Sequence, residues 1–171
     1  VSSQFKFNQQ SIANMLKPAG YRCAMFGKAG IGGHWGMKPG VPPTKTAAPI
    51  KWGFDHSLLI PRGHQSKPHA FFRDGITLSP LENGKAPDWE HSKVGERILE
   101  DAVAFLDDHV KSHGDKPFFL HFCSDGAHSP YHPADRLAGK KLEGVTKMTG
   151  HTDMVYETDI LLGELVATLE R

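Results

Sequence analysis

Cysteine is scarce in this chain of 171 residues: Cys23 and Cys123 are the only two. They form no C-x-x-C pair, and each sits in an apolar segment. Both therefore read as buried, inert thiols, which say little about redox compartment. An excess of one charge is also lacking. Twenty Lys and Arg against nineteen Asp and Glu leave a formal charge of +1, and no basic run exceeds two residues. Composition thus supplies no electrostatic case for nucleic acid or for an anionic membrane. No apolar run nears the ~18 residues of a membrane span. No signal peptide is visible, though a chain opening at Val1 rather than Met makes that absence a weak one. Gly-x-Ser-x-Gly, the P-loop order and G-x-G-x-x-G are missing too, which removes the nucleophile elbow and the common nucleotide cradles.

What is present fits a soluble globular protein with a core: 39% hydrophobic and 23% charged residues. The length predicts one domain. Ile12, Met15 and Leu16 have helical spacing near Ser11, and Pro18 with Gly20 predicts a stop near Lys17. Tyr21 to Phe26 reads as a buried strand, and "GKAGIGG" after it as a loop where backbone can approach a ligand closely. Residues 36 to 90 read as an irregular excursion rich in Pro and Gly, within which "HAFFRDGI" suggests a strand and an Asp74-Gly75 turn. An amphipathic helix is predicted from Val94 to Val110, its inward stripe formed by Val94, Ile98, Leu99, Ala102, Phe105, Leu106 and Val110. "KPFFLHF" reads as a buried parallel strand. Asp153 to Glu170 reads as a second helix with Met154, Leu161, Leu162, Leu165 and Leu169 inward. The alternation predicts an α/β layered sheet, in which ligands bind at the carboxyl ends of the strands.

Two loops meet that description, "GKAGIGGHW" and "SDGAHSPYHP", so Lys28 and His128 could converge on one crevice. A lysine there suits an oxyanion, and equally suits a solvated loop. His128 can donate a proton to a departing oxygen or merely cap its own turn. His128 and His132 have the i, i+4 spacing of a helical metal pair, but Pro130 and Pro133 oppose the helix it needs, which leaves Asp125, His128 and His132 as ligands from a loop. Cys123 reads as a packed thiol rather than a nucleophile. His56, Arg62, His64 and His69 are candidate substrate contacts in the excursion, each with a solvated loop as the alternative.

Four stretches, in order, then carry a family resemblance. "SIANMLKPAGYRCAMFGKAGIGG" resembles the sulfatase segment L-K-x-A-G-Y followed by R-T-A-x-x-G-K-W. "WGFDHSL" is similar to G-F-D-x-x-x-G. "KPFFLHFCSDGAHSPYHP" looks like the K-P-F-F-L-Y strand with its x-x-H-x-P loop, and "DMVYETDILLGELVATLER" like the M-V-x-x-x-D-x-x-V-G-x-L-L-x-x-L helix. The resemblance implies a three-layer α/β/α fold of the alkaline-phosphatase type with a mostly parallel sheet, and hydrolysis of sulfate esters. It implies a formylglycine nucleophile made in a C/S-x-P-x-R motif and a calcium ion on the sulfate oxygens. By position it makes Lys28 the sulfate-binding lysine and His128 the histidine at the sulfate and leaving oxygen. Gly30 stands where many members have a second histidine, and His34 is the expected substitute reaching into the site. His132 and His64 are expected at the substrate rim.

The departures shape the rest. Neither cysteine lies in C/S-x-P-x-R; Ser66 to Ala70 comes near but lacks the arginine. The early Asp-Asp pair for calcium is absent, Asp107-Asp108 lies on a helix, and the later metal pair would fall beyond Arg171. The expectation is therefore residues 1–171 as a single partial catalytic domain, inactive alone, with formylglycine and calcium ligands outside this chain and no metal ligand in it. Its partners would be a sulfated small molecule or glycan and the remainder of its own domain. The resemblance implies a periplasmic, secreted or lysosomal parent. Alternatives are a phosphodiesterase or phosphonate hydrolase of the same superfold, and a non-catalytic zinc-binding domain.

Overall fold

The computed structural model describes residues 10–30 and 49–171. Helix α1 spans Ile12–Leu16 and starts where Ser11 accepts a hydrogen bond from the Asn14 N–H at 3.0 Å. A 3-10 turn over Lys17–Ala19 then ends at Gly20 in the left-handed region. Its apolar spacing misleads about the buried face. Ile12 and Met15 are 64% and 66% exposed, and Ala13 is buried instead. The cause is steric: Gly53 approaches so closely that a Cβ there would lie 2.5 Å from the Asn14 nitrogen, so this side of α1 admits only a small residue.

Strand β1 (Arg22–Lys28) is an interior strand of a five-stranded sheet. It pairs in parallel with β2 (His56–Ile60) on one side and β5 (Phe118–Cys123) on the other. Burial of Cys23 to Gly27 on both faces explains why β1 reads as a continuous apolar run. β3 (Phe72–Arg73) and β4 (Ile76–Thr77) form an antiparallel hairpin through Asp74 and Gly75, with φ of 50° and 88°, and extend the sheet beyond β2. The order is β4-β3-β2-β1-β5. The fold is α/β with a mixed sheet, parallel in its three central and right-hand strands and antiparallel at the other edge.

Two sequence expectations change here. Residues 36–90 are not irregular throughout, since they supply three of the five strands, and Leu58, Leu59 and Ile60 are fully buried. β5 is parallel as expected but only half-buried, because among the described residues it has a strand neighbour on one side alone.

Helix α2 (Val94–His113) lies across one face of the sheet. Phe105 packs on Phe26 and stacks on His56, with ring centroids 5.9 and 6.1 Å apart, while the Arg22 guanidinium sits 4.5 Å over its ring. The predicted stripe holds except at its end: Val110 is 73% exposed, and His109 is buried in its place with Nε2 facing the Lys116 carbonyl at 2.9 Å. Helix α3 (Gly150–Leu169) packs on α2 and begins three residues before the expected start. Thr149 and Thr152 cap it reciprocally. Met154, Leu161 and Leu165 face inward together with Ile160, whereas Leu162 and Leu169 are 60% and 56% exposed. Between β5 and α3, β6 (Arg136–Leu137) and β7 (Lys140–Lys141) make a small separate ribbon.

Candidate active site

The three parallel strands end together. Lys28 is the last residue of β1, its register partner on β2 is Ile60, and the preceding Gly27 pairs with Cys123 at the end of β5. The Ala29 N–H then donates to the Ile60 carbonyl at 2.9 Å, which ties the exit of β1 to that of β2. Gly27 allows this convergence. Its φ is +98°, and a Cβ there would fall 1.9 Å from the Cys123 carbonyl oxygen. Lys28 is half-buried and its charge reaches the Cys123 thiol. Burial nonetheless raises the thiol pKa, with Lys28 acting in the opposite sense. Cys123 is thus a protonated neighbour, 2.7 Å from His121 Nε2, and not a poised thiolate.

The loop after β5 carries His128 and is pinned from two directions. His64, in the loop after β2, is 2% exposed. Its backbone N–H and its ring Nδ1 both meet the Asp125 carboxylate, and its Nε2 faces the Pro130 carbonyl at 2.9 Å. Burial opposes protonation of this ring, but the bonds to Asp125 and Pro130 outweigh it and hold its pKa above the usual histidine value. On the far side, Glu157 of α3 accepts from the Ala134 N–H at 3.0 Å, and burial raises its pKa. Between these pins His128 is exposed, its Nδ1 2.6 Å from the Ser129 carbonyl and its Nε2 3.3 Å from Gln65 Nε2.

The rim position expected for His64 does not hold. His64 is buried, with both ring nitrogens engaged. His132 is half-buried and stacks on His91 at 4.8 Å, edge-on to His64 at 5.7 Å. His69 stacks on Trp89 at 5.6 Å. His91, at the centre of these rings, has its pKa lowered by burial and then by its histidine neighbours. The chamber lined by His64, His91, Asp125, His132 and Glu157 holds about 20 Å³, room for one water-sized group and not for a sugar. His56 begins β2, at the opposite end of the sheet from Lys28, which removes it as a substrate contact. His34 lies outside the described residues.

Gln65, His91 and Glu157 carry no distinctive signal in the sequence, and Asp125 reads there as a candidate metal ligand from the loop, not as the partner of His64. Among the described residues no group of three or more His, Cys, Asp or Glu side chains is placed to hold a metal. Asp125, the buried carboxylate nearest His128 in the chain, is taken by His64. The described residues do not form a calcium site.

Comparison with known proteins decides the family. The family model described as Sulfatase matches residues 2–171. The chain belongs to the sulfatase family. A curated N-acetylgalactosamine-6-O-sulfatase of Bacteroides thetaiotaomicron is 24% identical over 210 residues, covering 94% of this sulfatase chain and 39% of the relative. A solved structure from work on the metabolism of multiple glycosaminoglycans by Bacteroides thetaiotaomicron superposes with a TM-score of 0.76 at 19% identity, over 99% of this chain and 44% of that one. Another, solved in complex with its substrate D-glucosamine-2-N,6-O-disulfate, gives 0.51 at 24% identity, over 78% of this chain and 22% of that one. The two solved structures share the fold. The sulfatase chain spans about two-fifths of the length of the curated relative.

Proposed function

We propose that this sulfatase chain is the part of a sulfate ester hydrolase that handles the sulfate oxygens and the leaving group, and that the substrate is a sulfated amino sugar. The carrying observation is the shared end of β1 and β5, which sets Lys28 one residue beyond the Gly27–Cys123 pair, on the end of the sheet from which the His128 loop departs. Lys28 presents a cation to the sulfate oxygens, where charge preorganised in a partly dry site is the largest usual catalytic term. His128, protonated at Nε2, gives that proton to the ester oxygen as the S–O bond breaks, so the alcohol departs neutral. The nucleophile and calcium implied by the family have no counterpart among the described residues, and the chemistry derived from this chain is confined to these two groups. The names of the curated relative and of the complexed neighbour support a 6-O-sulfated amino sugar.

The test is turnover by the full-length protein, first on an aryl sulfate and then on 6-O-sulfated N-acetylgalactosamine and glucosamine. Lys28→Ala and His128→Ala are each expected to lower kcat/KM about 100-fold or more with an unchanged circular dichroism spectrum. Wild-type rates in both variants would overturn the assignment, and hydrolysis of phosphate diesters in preference to sulfate esters would overturn the reaction class.

A further inference from the structure

We infer that Gln65 is a positioning residue for His128, built to hydrogen-bond the ring in both of its protonation states. The inference rests on the sulfatase reading for its kinetic consequence only. The side chain is held in place by its neighbours. Gly63 accepts from the Ser66 N–H at 2.9 Å, which folds residues 63–66 into a turn. Within that turn the Gln65 amide lies back over Gly63, so close that a Cβ on Gly63 would be 2.3 Å from Oε1. His64 anchors the same turn to the His128 loop through Asp125 and Pro130. The distance between Gln65 and His128 is therefore set by buried groups and not by the two side chains themselves.

The chemistry at the contact is specific. An amide nitrogen can only donate, so His128 Nε2 accepts from Gln65 at 3.3 Å. The ring proton then sits on Nδ1, which donates to the Ser129 carbonyl at 2.6 Å. This is one consistent neutral tautomer. It is also the wrong one for delivering a proton from Nε2. The other half of the amide resolves this. Gln65 Oε1 is buried and has no partner. A half-turn about the terminal torsion, which is soft and roughly two-fold, exchanges Oε1 and Nε2. The same side chain then accepts from Nε2–H of the imidazolium while Nδ1–H keeps its carbonyl. Glutamate at this position would favour only ring forms that carry a proton on Nε2, and leucine would support neither arrangement. The titratable groups around the pair are His64 beside Gln65, Asp125 and His132 on the His128 loop, His91 ahead of α2, and Glu157 of α3. His64 and Asp125 pair with each other, and Lys28 stands at the same end of the sheet.

The experiment is a pH titration of ¹⁵N-histidine-labelled full-length protein, with His128 assigned through His128→Gln. In the wild type the neutral His128 ring is expected as the Nδ1–H tautomer. In Gln65→Glu its titration midpoint should rise by about one pH unit, from an opposite charge within hydrogen-bond reach. Its neutral tautomer should change to Nε2–H. On an aryl sulfate, Gln65→Glu should carry the alkaline limb of kcat/KM upward by the same amount. Gln65→Leu should lower kcat about tenfold with KM within twofold, the scale of one lost hydrogen bond. A wild-type Nε2–H tautomer overturns the inference without any variant, and so does an unmoved midpoint in Gln65→Glu. If the ring responses appear and no sulfate ester is hydrolysed, the sulfatase reading falls and the Gln65–His128 coupling stands. If hydrolysis proceeds and the ring does not respond, the coupling falls and the sulfatase reading stands.

Discussion

Gly27 shows how one missing side chain sets up a site. At φ +98° and with the Cys123 carbonyl where a Cβ would be, no other residue fits without parting β1 from β5. Gly27→Ala should cost roughly 3 kcal/mol or more, since it combines a disfavoured backbone with a backbone clash. Urea denaturation reads that cost, and a loss below about 1 kcal/mol would mean that the strands separate freely. The cluster of glycines after β1 marked close approach in the sequence, and the structure identifies the partner as a carbonyl on a strand 96 residues later. His64 was less legible for the same physical reason. A histidine between Gly63 and Gln65 in a proline-rich stretch looks like a solvated loop residue. What buries it is Asp125, 61 residues on, and nothing local announces that pairing.

At the scale of elements, length decided what could be read. α2 and α3 run for 20 residues each, long enough for an apolar stripe to repeat over several turns, and both were placed to within a few residues. β2 has five residues and β4 two, too short for any period, so they pass for part of an excursion, whereas "HAFFRDGI" does mark β3 and its Asp74-Gly75 turn. The stripe errors fall on the outer flank of each helix. Val110, Leu162 and Leu169 lie just outside the arc that meets a neighbour. Phe105 lies at the centre of its arc, between Phe26, His56 and the Arg22 guanidinium. Phe105→Ala should remove about 3–5 kcal/mol, the range for a large aromatic lost from a packed core. Val110→Ala, on the same helix but exposed, should stay within about 0.5 kcal/mol of wild type. Equal costs in the two would mean that α2 does not dock through Phe105.

Across the whole molecule the sheet separates two kinds of charge chemistry. Lys28 ends β1 at its carboxyl end, the end of the sheet from which the His128 loop also departs. At the other end of β2, His56 meets Asp101 of α2 at 3.0 Å, and the Asp101 carboxylate also takes Arg73 of β3. This network joins helix, central strand and edge hairpin, and it makes stability depend on pH. The bond to Asp101, then that to Asp74, raise the His56 pKa from 6.5 to about 9. Burial acts to raise Asp101, but the bond from His56 and the charge of Arg73 prevail and hold it below the usual carboxylate value. Folding therefore favours protonated His56. Its contribution is complete below 6.5 and is lost as pH rises through about 9. Ionised Asp101 contributes above the ordinary carboxylate range and is lost as pH falls through its lowered value. The two describe one interaction, worth roughly 2 kcal/mol once the half-exposed Asp74 is discounted. Urea denaturation at pH 6 and pH 10 should show the wild type losing about that much more stability than His56→Gln, whose amide keeps a bond to Asp101 but has no proton to shed. Parallel losses in the two proteins would place the alkaline sensitivity elsewhere in the fold.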